Sequence, residues 1–121
     1  MTDDRLRVLV WHIRDVASEI ADFVGSRTRE DVQSDIFLER GLVHSLYIIA
    51  DLATRLQNEH PEFIESLPDI AWRDIRGLRN RVAHSYFELN LDVVWAAAVN
   101  EVPVLAQTLV AKLGTSPHNA T

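Results

Sequence analysis

The spacing of the apolar residues constrains this chain more than any other feature. Leu6, Leu9, Val10, Ile13, Val16, Ala17, Ile20, Phe23 and Val24 recur at steps of three and four, which collects them on one face of a helix. The pattern predicts a first amphipathic helix from about Thr2 to the stop signal Gly25. After the polar connector SRTREDVQSD, in which Thr28 can begin one helical turn, the same periodicity returns from about Asp35. Leu38, Leu42, Ser45, Leu46, Ile49, Leu52, Ala53 and Leu56 share a face up to the breaker NEHPEF. Pro61 and Pro68 bracket an irregular or one-turn segment. Asp69 is then a candidate N-cap for a third helix carrying Ile70, Trp72, Ile75, Leu78 and Val82. Asn90 can cap a fourth, LDVVWAAAVNEVPVLAQTLVAKL. Within it Pro103 removes a donor and crowds the carbonyl of Val99, so a kink or restart is expected. No strand-length alternation, repeat or low-complexity tract competes. The chain reads as all-α, an up-and-down bundle of four to five helices: one domain over residues 1–113 and a flexible tail over 114–121.

Composition narrows the functional classes. At 121 residues, 47% apolar and 25% charged, the chain is long enough to bury a core without covalent staples. It has no cysteine, which excludes disulfides and thiolate metal sites. The N-terminal MTDDRLRVLVWHIRD mixes acids and bases where a secretory signal would be apolar, so the cytoplasm is the expected location. Even GLVHSLYIIADLA is broken by His44 and Asp51, and no stretch is expected to reach the roughly 20 apolar residues that span a bilayer.

The net charge of −6 argues against bulk affinity for nucleic acid, but its distribution does not. Residues 73–81, RDIRGLRNR, hold four Arg against one Asp, a local +3 that leaves −9 on the other 112 residues. Just beyond lie His84 and Tyr86. Arg76, Asn80 and His84 are spaced four and four apart, so they stack along one helix face if the third helix continues that far, with Arg73 on the same side. Arg79 is near enough to lean toward that edge. Tyr86 is placed just past the helix end, where a turn would return its hydroxyl to His84.

These groups suit phosphodiester cleavage. Arginine presents a planar fork of donors to phosphate oxygens and stays charged, so it can bind the ground state and stabilise the transition state. Histidine, with an unperturbed pKa of about 6.5, can take and return a proton near neutrality. RNA brings its own nucleophile in the 2′-hydroxyl. No metal is then required, and the sequence has no H-E-x-x-H and no acidic cluster near His84. Spacing alone leaves open a plainer alternative, a solvated arginine-rich helix face whose last histidine complements the macrodipole. His12, His60 and His118 have no supporting neighbours and read as surface residues. Trp11, Trp72 and Trp95 sit in apolar helical patterns and read as core or interface anchors.

Residues 76–103, RGLRNRVAHSYFELNLDVVWAAAVNEVP, resemble the core signature of the HEPN superfamily, and more narrowly the HepT-type toxins that pair with minimal nucleotidyltransferases of the MntA type. The resemblance rests on R-x4-H-x-Y, formed by Arg79, His84 and Tyr86 with Asn80 directly after the arginine. Trp72-Arg73-Asp74-Ile75-Arg76-Gly77 and Leu91-Asp92-Val93-Val94-Trp95 also fit. It implies a HEPN helical bundle acting as a homodimer and a metal-independent endo- or exoribonuclease with no cofactor. Arg79 would hold the scissile phosphate, His84 would serve as acid and base, and Asn80 would orient one or the other. Arg73, Arg76 and Arg81 would add phosphate contacts. Tyr86 would be the site where the partner nucleotidyltransferase attaches AMP, a charge and steric block on RNA binding. Many relatives read Gly-Glu-Ala in the second helix where this chain has Ala50-Asp51-Leu52, so no role is carried onto Asp51. His44 and Tyr47, on the less apolar side of that helix, are expected to face a dimer partner or solvent. The competing reading is a noncatalytic helical dimer that serves as the binding partner of a nucleotidyltransferase.

Overall fold

A computed structural model describes residues 4–88 and 90–114, excepting the side chains of residues 82–88. Its described residues form seven helical segments: α1 (Asp4–Gly25), α2 (Arg29–Gln33), α3 (Ile36–Glu59), α4 (Pro61–Glu65), α5 (Trp72–Glu88), α6 (Leu91–Asn100) and α7 (Val102–Leu113). Two of these are single turns and α6–α7 is one helix broken in two, so the four long elements expected from periodicity are all present.

Local chemistry accounts for most boundaries. Thr28 and Asp31 form a reciprocal capping box that opens α2. The Asp35 carboxylate accepts from the Phe37 and Leu38 amides to start α3, and the Asn90 side chain accepts from the Val93 amide to start α6. Pro103 sits in the first turn of α7, where its missing donor is tolerated but would have broken a continuous helix. Gly114 ends α7 with φ +92°, a left-handed conformation that costs glycine little.

Three expectations need correction. Asp69 does not cap α5, which begins at Trp72; the chain turns first, with Ile70 N–H donating to the Leu67 carbonyl and Trp72 N–H to that of Ile70. Burial of Ile70 and Trp72, and the indole N–H bonded to the Leu67 carbonyl at 3.2 Å, draw those residues into the turn. Second, α5 runs to Glu88, so position 86 lies inside the helix rather than past its end; no Gly or Pro interrupts the sequence between Arg79 and Glu88. Third, Leu91–Leu113 is by length and composition apolar enough to cross a membrane. One face of it packs into the bundle, with Leu91, Val94, Ala97, Ala98, Val102, Leu105, Ala106 and Leu109 all buried, while Ala96 and Val104 are exposed.

The core unites all the long helices. Ile13, Leu46, Ile49, Leu56, Ile75, Leu78, Leu105 and Leu109 are among its fully buried side chains, each contributing about 1.5–3 kcal/mol of burial. The most extensive pairings are α3 with α5, α1 with α7 and α1 with α3. The short α4 and the turn after it fold α5 back along α3. Polar links close the periphery. Arg29 on α2 reaches Asp92 on α6 at 2.7 Å. The buried Arg14 lies over the Trp11 ring, bonds Asp15 and donates to the Gly114 carbonyl at 3.3 Å. Trp72 is buried and Trp95 partly buried against the core, as their apolar settings predict.

Candidate active site

Helix α5 carries the motif, and its buried line fixes where every other position points. Trp72, Ile75 and Leu78 face the core. At about 100° per residue, Arg79 then lies about 70° to one side of the Ile75–Leu78 direction and Arg81 about 90° to the other, with Arg73 and Asn80 on the outward side. Both Arg73 and Asn80 are exposed, and Arg76 is half-buried with its Nε–H directed at the Trp72 carbonyl at 3.4 Å.

The two edges differ in chemistry. On the α3 side, Arg79 Nε–H donates to the Tyr47 hydroxyl at 3.1 Å, and its Cζ lies 5.5 Å from the centre of the Tyr47 ring. On the opposite side, Arg81 donates to both carboxylate oxygens of Glu101, at 3.2 and 2.9 Å, and to the Asp74 carbonyl at 3.0 Å. The structure thus does not bring Arg81 together with Arg79; Arg81 is fastened to the α6–α7 junction. Arg73, Arg76 and Arg79 form no ion pair among the described residues, whereas Arg5, Arg14, Arg29, Arg55 and Arg81 each do. Among the described residues Arg7, Arg27 and Arg40 likewise have none, but they lie on α1, α3 and the connector between them, whereas Arg73, Arg76 and Arg79 gather unpaired charge on one helix.

Tyr47 is the site residue that spacing missed. It is separated from Arg79 by 32 positions, and only the packing of α3 on α5 joins them. The available signal was the polar row His44, Tyr47 and Asp51 on an otherwise apolar helix. Asp51, one turn beyond Tyr47, is held by Arg55 at 3.2 Å. On its other side Tyr47 borders a groove of about 460 Å³ between α1 and α3, whose lining includes Val8, His12 and Ile48. His44 and His12 are exposed; the His60 ring lies 3.5 Å from Glu62 at the end of α3. No three His, Asp or Glu side chains among the described residues are grouped to ligate a metal ion.

The side chains of His84 and Tyr86 lie outside the described residues, as do His118 and the tail from residue 115. The backbone register of α5 still orders the motif positions. Position 86 is seven residues from Arg79 and within about 20° of it around the axis; position 84 is within about 40° of Asn80, and 84 and 86 are separated by about 160°. With α5 continuous past position 86, Arg79 and position 86 share one stripe of the helix and Asn80 and position 84 another; the expected contact of the Tyr86 hydroxyl with His84 lies outside the described residues.

The family model described as Ribonuclease HepT-like matches residues 13–111, nearly the whole bundle. The chain belongs to the HepT-like ribonuclease family. Two similar proteins bear the name "Putative RNase": one from Caldanaerobacter subterraneus subsp. tengcongensis, 31% identical over 82% of this chain and 86% of its own, and one from Methanocaldococcus jannaschii, 26% identical over 81% and 78%. The chain is also similar to a protein of Thermococcus cleftensis named "Probable ribonuclease HepT", at 24% identity over 78% of this chain and 86% of that one. No solved structure matches it. This HepT-like ribonuclease carries its R-x4-H-x-Y motif within the matched region, on α5.

Proposed function

We propose that this HepT-like ribonuclease is the toxin of a toxin–antitoxin pair, a homodimer that cleaves RNA without a metal and is silenced when an MntA-type minimal nucleotidyltransferase attaches AMP to Tyr86. One observation carries the reading: Arg79, which heads the motif, has a neutral phenol as its partner where Arg81 has a carboxylate. Its full charge remains available to a phosphate.

In the proposed reaction the RNA 2′-oxygen attacks the adjacent phosphorus while His84 takes its proton. The P–O bond to the next nucleoside breaks, and the protonated His84 returns its proton to that leaving oxygen. Arg79 neutralises the charge that accumulates on the non-bridging oxygens, with Arg73, Arg76 and Asn80 holding the flanking backbone. AMP on Tyr86 would add a phosphate two turns from Arg79 on the same stripe, about 10 Å along the axis, in competition with RNA.

Replacement of His84 tests the proposal. His84→Ala is expected to abolish RNA cleavage and growth inhibition, with the dimer unchanged in sedimentation. Equal toxicity of wild type and variant would sink the nuclease reading in favour of a noncatalytic partner of the nucleotidyltransferase. Coexpression with that enzyme is expected to give an adenylylated peptide containing Tyr86, and none in Tyr86→Phe.

A further inference from the structure

We propose that Tyr47 on α3 positions Arg79 for phosphate binding, and so acts in the reaction without touching the reacting atoms. The inference rests on the assignment of Arg79 to the scissile phosphate. A guanidinium has five N–H donors in a planar fork. The Tyr47 hydroxyl takes the Nε–H at 3.1 Å, which leaves both terminal nitrogens, and the edge they share, for a bidentate phosphate contact. The ring, 5.5 Å from Cζ, restricts the guanidinium from one face.

The choice of a phenol matters electrostatically. A carboxylate in this place would anchor Arg79 equally well but would occupy the same fork and cancel its charge, as Glu101 does for Arg81. A neutral acceptor fixes direction without competing for the substrate. The carboxylate one turn along α3, Asp51, is engaged by Arg55. Tyr47 is itself supported by its helix: Val43, Leu46 and Ala50 around it are buried, so its backbone is fixed relative to α5. Arg79, with a long and otherwise exposed side chain, would sample many rotamers without this contact. Holding it in advance removes that ordering step from the approach to the transition state, where the guanidinium must meet the charge developing on the phosphate.

Steady-state cleavage of a short fluorogenic RNA by the full-length protein tests this. Tyr47→Phe keeps the ring and deletes the acceptor. It is expected to lower kcat/KM about tenfold, the low end of what a hydrogen bond to a charged group contributes, mostly in kcat and with an unchanged melting temperature. Tyr47→Ala is expected to lose more. In an Arg79→Lys background, which lacks Nε–H, adding Tyr47→Phe is expected to change the rate less than twofold, because the two residues act as a unit. A Tyr47→Phe enzyme with kcat/KM at or above wild type, or an equal loss in both backgrounds, overturns the positioning role. Arg79→Ala separates this from the underlying assignment: if it cleaves at the wild-type rate, the phosphate role of Arg79 fails whatever Tyr47 does.

Discussion

Arg79 and Arg81 are two residues apart on one helix, yet they meet opposite fates. Arg81 is closed into a partly buried pair with Glu101 and a bond to the Asp74 carbonyl, which ties α5 to the junction of α6 and α7. Arg79 lies over a tyrosine on α3. The difference shows how a helix can divide one residue type between architecture and chemistry. A guanidinium facing a carboxylate stabilises the fold, whereas one facing a neutral oxygen is directed without being neutralised. The divider is the buried line of Ile75 and Leu78, which places the two side chains on separate edges.

The most severe way to break this division is to remove the divider. Leu78 is fully buried, and Leu78→Ala is expected to cost about 2–5 kcal/mol, read as a lower denaturation midpoint, with both edges failing together. Next comes the exposed edge: Arg79→Ala is expected to lower kcat/KM by about 10²- to 10³-fold, the scale of losing one transition-state donor. Its melting temperature should stay within about 2 °C of wild type, as befits an exposed side chain. The converse is expected at the other edge. Arg81→Ala leaves Glu101 without its partner and should cost about 1–2 kcal/mol of stability, while cleavage well below the melting point changes little. A large loss of cleavage with stability intact would make Arg81 a phosphate contact, as the family resemblance implies.

The smallest effect belongs to a surface pair outside both edges. Arg5 hydrogen-bonds Glu59 and holds its carboxyl below the usual carboxylate range. Because the folded-state value is depressed, the contribution is present above the ordinary carboxylate pKa and is lost as pH falls through the lowered one. The pair is exposed, so Arg5→Gln is expected to shift the melting temperature by less than about 1 °C at pH 7. Even that difference should vanish by pH 2 in a calorimetric series.

These contrasts mark what was legible beforehand. Periodicity located α1, α3 and the α6–α7 unit because burial along a helix repeats every few residues, and Thr28, Asp35, Asn90 and Pro103 punctuated them through contacts no more than four residues long. Asp69 misled because a cap depends on the backbone around it, and here Ile70 and Trp72 are pulled into a turn. The arginine patch was visible, but not the division within it: Glu101 is 20 residues from Arg81 and Tyr47 is 32 from Arg79. Both contacts are set by which helices pack together, which local spacing does not encode. The membrane-like hydropathy of Leu91–Leu113 had the opposite cause, since a helix buried in a bundle and one buried in lipid need similar side chains.

The pairing of α1 with α7 has a consequence for how the protein is made. Arg14 reaches the Gly114 carbonyl across 100 residues, so α1 must wait for α7 to be synthesised before the two can pack. At about 5–20 residues per second that interval is about 5–20 s, during which the apolar face of α1 lacks its final cover. The motif helix is synthesised before the bundle that supports it can close. A chain stalled or truncated before α7 therefore contains R-x4-H-x-Y without the scaffold that α7 completes, and cleavage is expected to begin only after α7 has been translated and docked.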